Sequence, residues 1–101
     1  MASRLTLHET LCELLGSRNV YYDPPASVKM KYPAIVYTSK APDVKHANDA
    51  LYKYMGCYEL TLIDEDPDNY SALKLLQLPY CSLDGFFKSE NLNHTTFTLY
   101  Y

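Results

Sequence analysis

The stretch YKYMGCYELTLI, residues 52–63, gives the clearest indication of how this chain folds. Every second residue from Tyr52 to Leu62 is bulky or apolar, except Gly56, and the residues between them face the other way. This period of two is typical of a β-strand that packs one face against a core. Gly56 interrupts the pattern, which indicates a bulge or a close approach to the backbone.

One further strand is predicted before this stretch, and a second, short one is left open. The run Ala34–Thr38 is rich in β-forming residues and predicts a buried strand. Pro33 at its entry is compatible with this, because the first residue of a strand need not donate a ladder hydrogen bond. The segment 19–32 is less regular. Val20–Tyr22 could pair as a short strand, although Pro24 and Pro25 exclude a central one.

Two helices are predicted from apolar spacing and end signals. The first spans Thr6–Leu15, with a capping box between Thr6 and Glu9 and a left-handed Gly16 at its end. Its apolar stripe consists of Leu7, Leu11, Leu14 and Leu15. The second follows an acidic turn, with Asp66 as its cap, an apolar side within residues 72–76, and Pro79 beyond its end.

The C-terminal part is predicted to form a hairpin. Asp84-Gly85 reads as a turn, and residues 86–89 and 95–101 read as strands around Asn91-Leu92-Asn93. The predicted order is α-β-β-α-β-β. This order predicts an α+β fold in one domain, residues 1–101, with a small mixed or antiparallel sheet of about four strands flanked by two helices.

Composition argues against several classes of function. The chain has 101 residues and a net charge of −3, without the basic cluster that duplex DNA binding requires. It contains no apolar segment of membrane-spanning length and no signal peptide after Met1. Three widely spaced cysteines predict reduced, mostly buried thiols in a protein made in the cytoplasm.

A search for catalytic or metal motifs favours no enzyme and no cofactor. Asp64, Asp66 and Asp68 have the spacing that opens a calcium loop, but Asn69 and Leu75 occupy the positions that require Gly and Glu. His8, His46 and His94 form no metal pair in sequence. A Cys–His pair that meets only in space stays open as an alternative.

Several segments resemble small structural proteins of long-tailed bacteriophages. They are LGSRNVYY (residues 15–22), Pro24-Pro25, VKMKYPAIVY (residues 28–37), NLNH (residues 91–94) and FTLYY (residues 97–101). The similarity extends over roughly Leu5–Tyr101 and points to the tail-terminator or tail-completion proteins, which join tail to head.

The resemblance implies a small α+β fold and a structural role in the virion neck. Such proteins assemble as a ring, usually hexameric, that caps the finished tail tube and joins it to the head connector. They catalyse nothing, and DNA passes through the lumen without specific binding. The expected partners are therefore further copies of this chain, the tail tube protein and a connector or head-completion protein, with no membrane involved.

Within that reading, a long polar loop is the predicted oligomer or lumen contact, because loops of a dozen residues are usually functional or disordered. The loop residues are Pro42, Asp43, Val44, Lys45, His46, Ala47, Asn48, Asp49 and Ala50. Tyr52 and Tyr54 are interface candidates, with sheet packing as the alternative. Tyr100 and Tyr101 are expected on an edge strand, where a partner's strand can add.

Two other functions remain open on the sequence. One is a head-completion or adaptor protein of the same neck, and the other is a small host-directed binding protein. Binding to isolated tails or to filled heads tests the first of these functions. A monomer that binds neither favours the second.

Deleting Asp43–Asn48 is expected to leave the monomer folded and to abolish ring formation, since the loop is predicted to contact a neighbouring copy. Light scattering measures the loss. Rings that persist after the deletion would show that the loop assignment is wrong.

Overall fold

The computed structural model describes residues 4–41, 56–66 and 68–101, which form two helices and five strands. The elements are α1 (Arg4–Leu15), β1 (Val20–Tyr22), β2 (Ala34–Ser39), β3 (Cys57–Asp64), α2 (Ser71–Leu76), β4 (Cys81–Ser89) and β5 (Leu92–Tyr100). The α+β class is as predicted. The additional strand is β1, three residues that the sequence indicated only as a possible strand.

The five strands form one mixed sheet in the order β1-β2-β3-β5-β4. β1 runs parallel to β2, and every other neighbouring pair is antiparallel. β3, at the centre, is the described part of the strand predicted from the alternating stretch. Its register places Leu60 opposite both Tyr37 and Phe97.

One face of the sheet, called here the helix face, packs against both helices. Its core contains Leu7, Leu11 and Leu75 from the helices and Ile35, Tyr37, Leu60, Phe97 and Leu99 from the strands, all fully buried. The opposite face, called the open face, carries a row of Val36, Thr61 and Thr96. Among the described residues no helix covers it.

Helix α1 ends where the sequence predicts and begins earlier. Gly16 has a φ of 77°, and its N–H donates to the Cys12 carbonyl at 2.9 Å, which closes the last turn. The helix begins at Arg4, so the predicted capping box at Thr6 is wrong. Glu9 instead forms an ion pair with Arg18 at 2.8 Å, on the surface.

Helix α2 is shorter than predicted, and Asp66 does not cap it. The Asp66 carboxylate accepts the N–H of Asp68 at 2.9 Å, within the acidic turn. The Asn69 side chain accepts the N–H of Ser71 at 2.8 Å, where the helix begins. The predicted start was wrong because this polar turn satisfies its own backbone groups.

The C-terminal hairpin is confirmed, with its turn slightly earlier than the predicted Asn91-Leu92-Asn93, but the separate turn predicted at Asp84-Gly85 is wrong. β4 continues through these residues with a bulge between Leu83 and Gly85. The turn is Glu90-Asn91, whose φ values of 53° and 64° are those of a tight two-residue hairpin loop. The prediction failed because a bulge and a turn both break the period of two.

Gly56 marks a close approach, as the sequence suggested. A Cβ at this position would lie 2.9 Å from Cε2 of the Tyr58 ring, closer than carbon atoms pack. The glycine therefore allows the Tyr58 ring to lie over the start of β3.

A polar cluster around the buried Tyr37 ties α1 to the sheet. The Tyr37 hydroxyl lies 2.8 Å from Nδ1 of His8 and accepts from the Arg4 guanidinium at 3.4 Å. The Arg4 guanidinium also lies 4.3 Å from the centre of the Tyr22 ring. Burial raises the pKa of Tyr37, and the nearby Arg4 partly lowers it. The hydroxyl stays protonated at neutral pH and serves as an uncharged link between helix and strand.

Replacing Tyr37 by Phe is expected to destabilise the fold by about 1 kcal/mol, because the partners of the hydroxyl are part-buried and lose a hydrogen bond. Urea unfolding measures the change. Tyr22→Phe is the matched control, since it removes only an exposed hydrogen bond to Ser39 and should cost less than about 0.5 kcal/mol. Equal costs for the two variants would contradict the anchoring role of Tyr37.

Candidate functional site

Part of the predicted interface lies outside the described residues. This holds for the loop Pro42–Ala50 and for Tyr52 and Tyr54. Their roles in assembly stay predictions.

The expectation that Tyr100 and Tyr101 lie on an edge strand is wrong. β5 lies between β3 and β4, because it pairs with β3 along one side and with β4 along the other. Tyr100 is only 6% exposed. Tyr101 packs against the core, and its backbone exchanges two hydrogen bonds with Gly56. On this side of the described sheet, the edge strand is therefore β4.

β4 is an edge strand with an unusually apolar surface. Phe86 is 81% exposed, Phe87 54% and Leu83 48%. Tyr80, just before the strand, is exposed as well. Surfaces of this kind on a sheet edge are typical of protein–protein contact. We call Tyr80, Leu83, Phe86 and Phe87 the β4 surface.

Leu83 and Phe86 of the β4 surface are exposed because the helix layer ends before the strand does. Leu83 and Phe86 lie opposite Phe97 and Thr95, so both project from the helix face. α2 has six residues and is about 9 Å long, whereas the nine residues of β4 extend about 30 Å. A helix of this length leaves most of β4 without cover on that face.

The side chains on β4 provide contact area and little reactive chemistry. Transferring Phe86 from water into an interface would contribute about 2 kcal/mol. Phe87 stacks on His94 on the open face, with ring centres 4.6 Å apart. A groove of about 530 Å³ beside the hairpin is lined by Phe86, Phe87, Lys88, Asn93, His94 and Thr95. Its single Lys and its apolar wall suit a protein segment better than a reacting substrate.

The described cysteines are free and have raised pKa values. Burial raises the pKa of Cys12 and that of Cys57, where a Tyr100 hydrogen bond partly offsets it. Burial, with a smaller contribution from Asp84, raises the pKa of Cys81 to about 11. Thiols with such pKa values are protonated and poorly nucleophilic at neutral pH.

Residues 4–41, 56–66 and 68–101 contain no group of three His, Cys, Asp or Glu side chains placed to hold a metal ion. Asp64 and Asp66, which began the calcium-like spacing, accept hydrogen bonds from Asn69 and from the Asp68 backbone. Neither described helix has the length and hydropathy to cross a bilayer.

In comparisons with known proteins, no family model, curated protein or solved structure matched this chain. The fold of this chain is therefore defined by its own sheet and strand register, without a related structure for comparison.

The β4 surface could be predicted from the sequence only in part. Phe86 and Phe87 lie in the predicted strand 86–89, whereas Leu83 lies before the turn predicted at Asp84-Gly85. The position of this strand at the edge of the sheet depends on strand order, which local sequence patterns do not determine.

Alkylation of Cys81 by iodoacetamide is expected to be about a hundredfold slower at pH 8 in the folded protein than in urea, because its pKa rises from 9.0 to about 11. The rate should increase with pH until the pH approaches that value. Peptide mapping by mass spectrometry measures the rate, and Cys81→Ser identifies the peptide. Equal rates in the folded and unfolded protein would contradict the assigned environment.

Proposed function

We propose that this chain is a structural protein of the neck of a long-tailed bacteriophage. Copies assemble as a ring, of about six subunits by family resemblance, that caps the tail tube and joins it to the head connector. The protein acts by contact and carries no catalytic site. DNA passes through the ring without specific binding.

The observation that carries this proposal is the β4 surface. A 101-residue chain that leaves two phenylalanines and a leucine exposed on an edge strand gains by covering them with another protein surface. Such a surface is expected of a subunit that works in an assembly. It has less use in a small protein that acts alone.

The fold supports the proposal at the level of class. The resemblance implies a small α+β domain with a mixed or antiparallel sheet flanked by helices. The described chain has a mixed five-stranded sheet with two helices on one face. Many unrelated functions share such folds, so this agreement supports the proposal without identifying the role.

The charge distribution suits a channel for DNA. Asp64 ends β3, the carboxylates of Glu65, Asp66 and Asp68 follow it, and Glu90 lies in the neighbouring hairpin turn. Asn93 joins the two turns, since its amide donates to the Glu65 carbonyl at 3.1 Å. This acidic end, directed at the lumen, would repel phosphates and reduce sticking during DNA passage.

Reconstitution tests the proposed role. Tails produced without this protein are mixed with the purified chain and then with filled heads. We expect the chain to bind the end of the tail tube and to restore joining to heads. Electron microscopy and infectivity measure the two steps, and tails incubated with buffer alone are the control.

The alternatives predict other results. Binding to filled heads and not to tails would support a head-completion protein. A chain that stays monomeric at high concentration and binds neither tails nor heads would contradict a neck role and favour a host-directed binding protein.

A further inference from the structure

The sheet of the described residues has two open edges that differ in length and run in opposite directions. β1 forms one edge and β4 the other. β1 runs with β2, whereas three successive antiparallel steps make β4 run against β2. If one sheet continues sideways into the next copy, β4 of the first therefore meets β1 of the second in antiparallel orientation.

The register shows which side chains would meet. One row across the helix face consists of Val20, Ile35, Leu62, Thr95 and Phe86. The next row on that face consists of Tyr22, Tyr37, Leu60, Phe97 and Leu83. Extending both rows without stagger places Phe86 beside Val20 of the next copy and Leu83 beside its Tyr22. The two exposed apolar side chains that β4 carries on the helix face thus gain apolar neighbours.

The backbone of β4 is oriented for such pairing. In an antiparallel ladder, the backbone groups of every second residue bond to the neighbouring strand, and those of the residues between point away from it. At one end of β4, Ser89 pairs with Leu92 across the two-residue turn. At the other end, the Tyr80 carbonyl accepts from the N–H of Tyr100. Counting from either end, the backbone groups of Leu83, Phe86 and Lys88 point to the open edge.

The β1 edge has the matching pattern. The Asn19 carbonyl accepts from the N–H of Ile35, and the N–H of Asp23 donates to the Tyr37 carbonyl, so the backbone groups of Asn19 and Asp23 point toward β2. By the same alternation, the N–H and carbonyl of Tyr22 and the carbonyl of Val20 point outward. The N–H of Val20 donates to the Arg18 carbonyl at 2.8 Å within the same chain. Pro24 and Pro25 follow directly and limit the ladder to these few residues.

We infer that β4 of one copy binds β1 of a second copy by antiparallel strand addition, so that the sheet continues from subunit to subunit. This rests on the proposed function, which requires copies to assemble. Two different edges make the contact head-to-tail, the type that closes into rings of more than two subunits. Pairing of β4 with itself would close at two copies and leave β1 unused.

Two charge-introducing variants test the inference. Phe86→Asp blocks the β4 edge and Tyr22→Asp blocks the β1 edge, where Arg4 lies beside the new carboxylate. We expect the wild type to form one closed assembly and each variant to be monomeric. An equimolar mixture should form a 1:1 heterodimer, because one intact edge of each kind remains. Sedimentation velocity and native mass spectrometry measure the species.

The control is Leu73→Asp, an equally drastic change at an exposed α2 position that belongs to neither edge strand, which should assemble like the wild type. A Tyr22→Asp protein that dimerises while Phe86→Asp is monomeric would show β4 self-pairing and overturn the inference. Closed assemblies of both edge variants would overturn it too and leave the proposed function standing. A wild type that stays monomeric, even with tails present, would overturn both.

Cross-linking provides a measurement that does not depend on the stability of Tyr22→Asp. Gly85 and Tyr21 occupy one row of the open face, so the rows place them opposite each other between copies. A chain with both Gly85→Cys and Tyr21→Cys should form disulfide-linked multimers on oxidation. Gly85→Cys alone should not form them. Absence of multimers from the double variant under assembling conditions would contradict the strand pairing.

Discussion

Leu60 lies in the middle of the central strand, with Tyr37 opposite it on β2 and Phe97 opposite it on β5, and all three are fully buried. Leu7 and Leu11 of α1 and Leu75 of α2 complete this core. Because the described helices all pack on this one face, they cover a single side of the sheet. Among the described residues, the fold is thus held by one layer contact, and no helix covers the open face.

The unequal lengths of helix and strand determine where the β4 surface lies. α1 packs over the β1 and β2 side, and the short α2 reaches β4 with less than two turns. Phe86 lies on the helix face and would be core in a larger domain, yet nothing among the described residues covers it. In the proposed assembly a neighbouring copy supplies the missing cover. The same side chains therefore complete both the fold and the interface.

The sequence predicted the parts of the fold that depend on local periodicity. Leu7 and Leu11 define a helical stripe, and Tyr58, Leu60 and Leu62 define one strand face, because each pattern repeats over several residues. It failed where two local explanations compete. Asp84-Gly85 has turn chemistry but forms a bulge, and Asp66 has cap chemistry but closes its own turn. Strand order is a non-local property, so the move of the edge from β5 to β4 could not be read from Tyr100 or Tyr101.

The central claim is that this chain works by sharing the β4 edge with another protein surface. Amide hydrogen exchange of Leu83, Phe86 and Lys88 tests it most directly, because their backbone groups point away from β5. We predict rapid exchange in dilute monomer and strong protection once the protein assembles, while core amides such as that of Leu60 change little. Rapid exchange at these three positions in the fully assembled protein would contradict the claim.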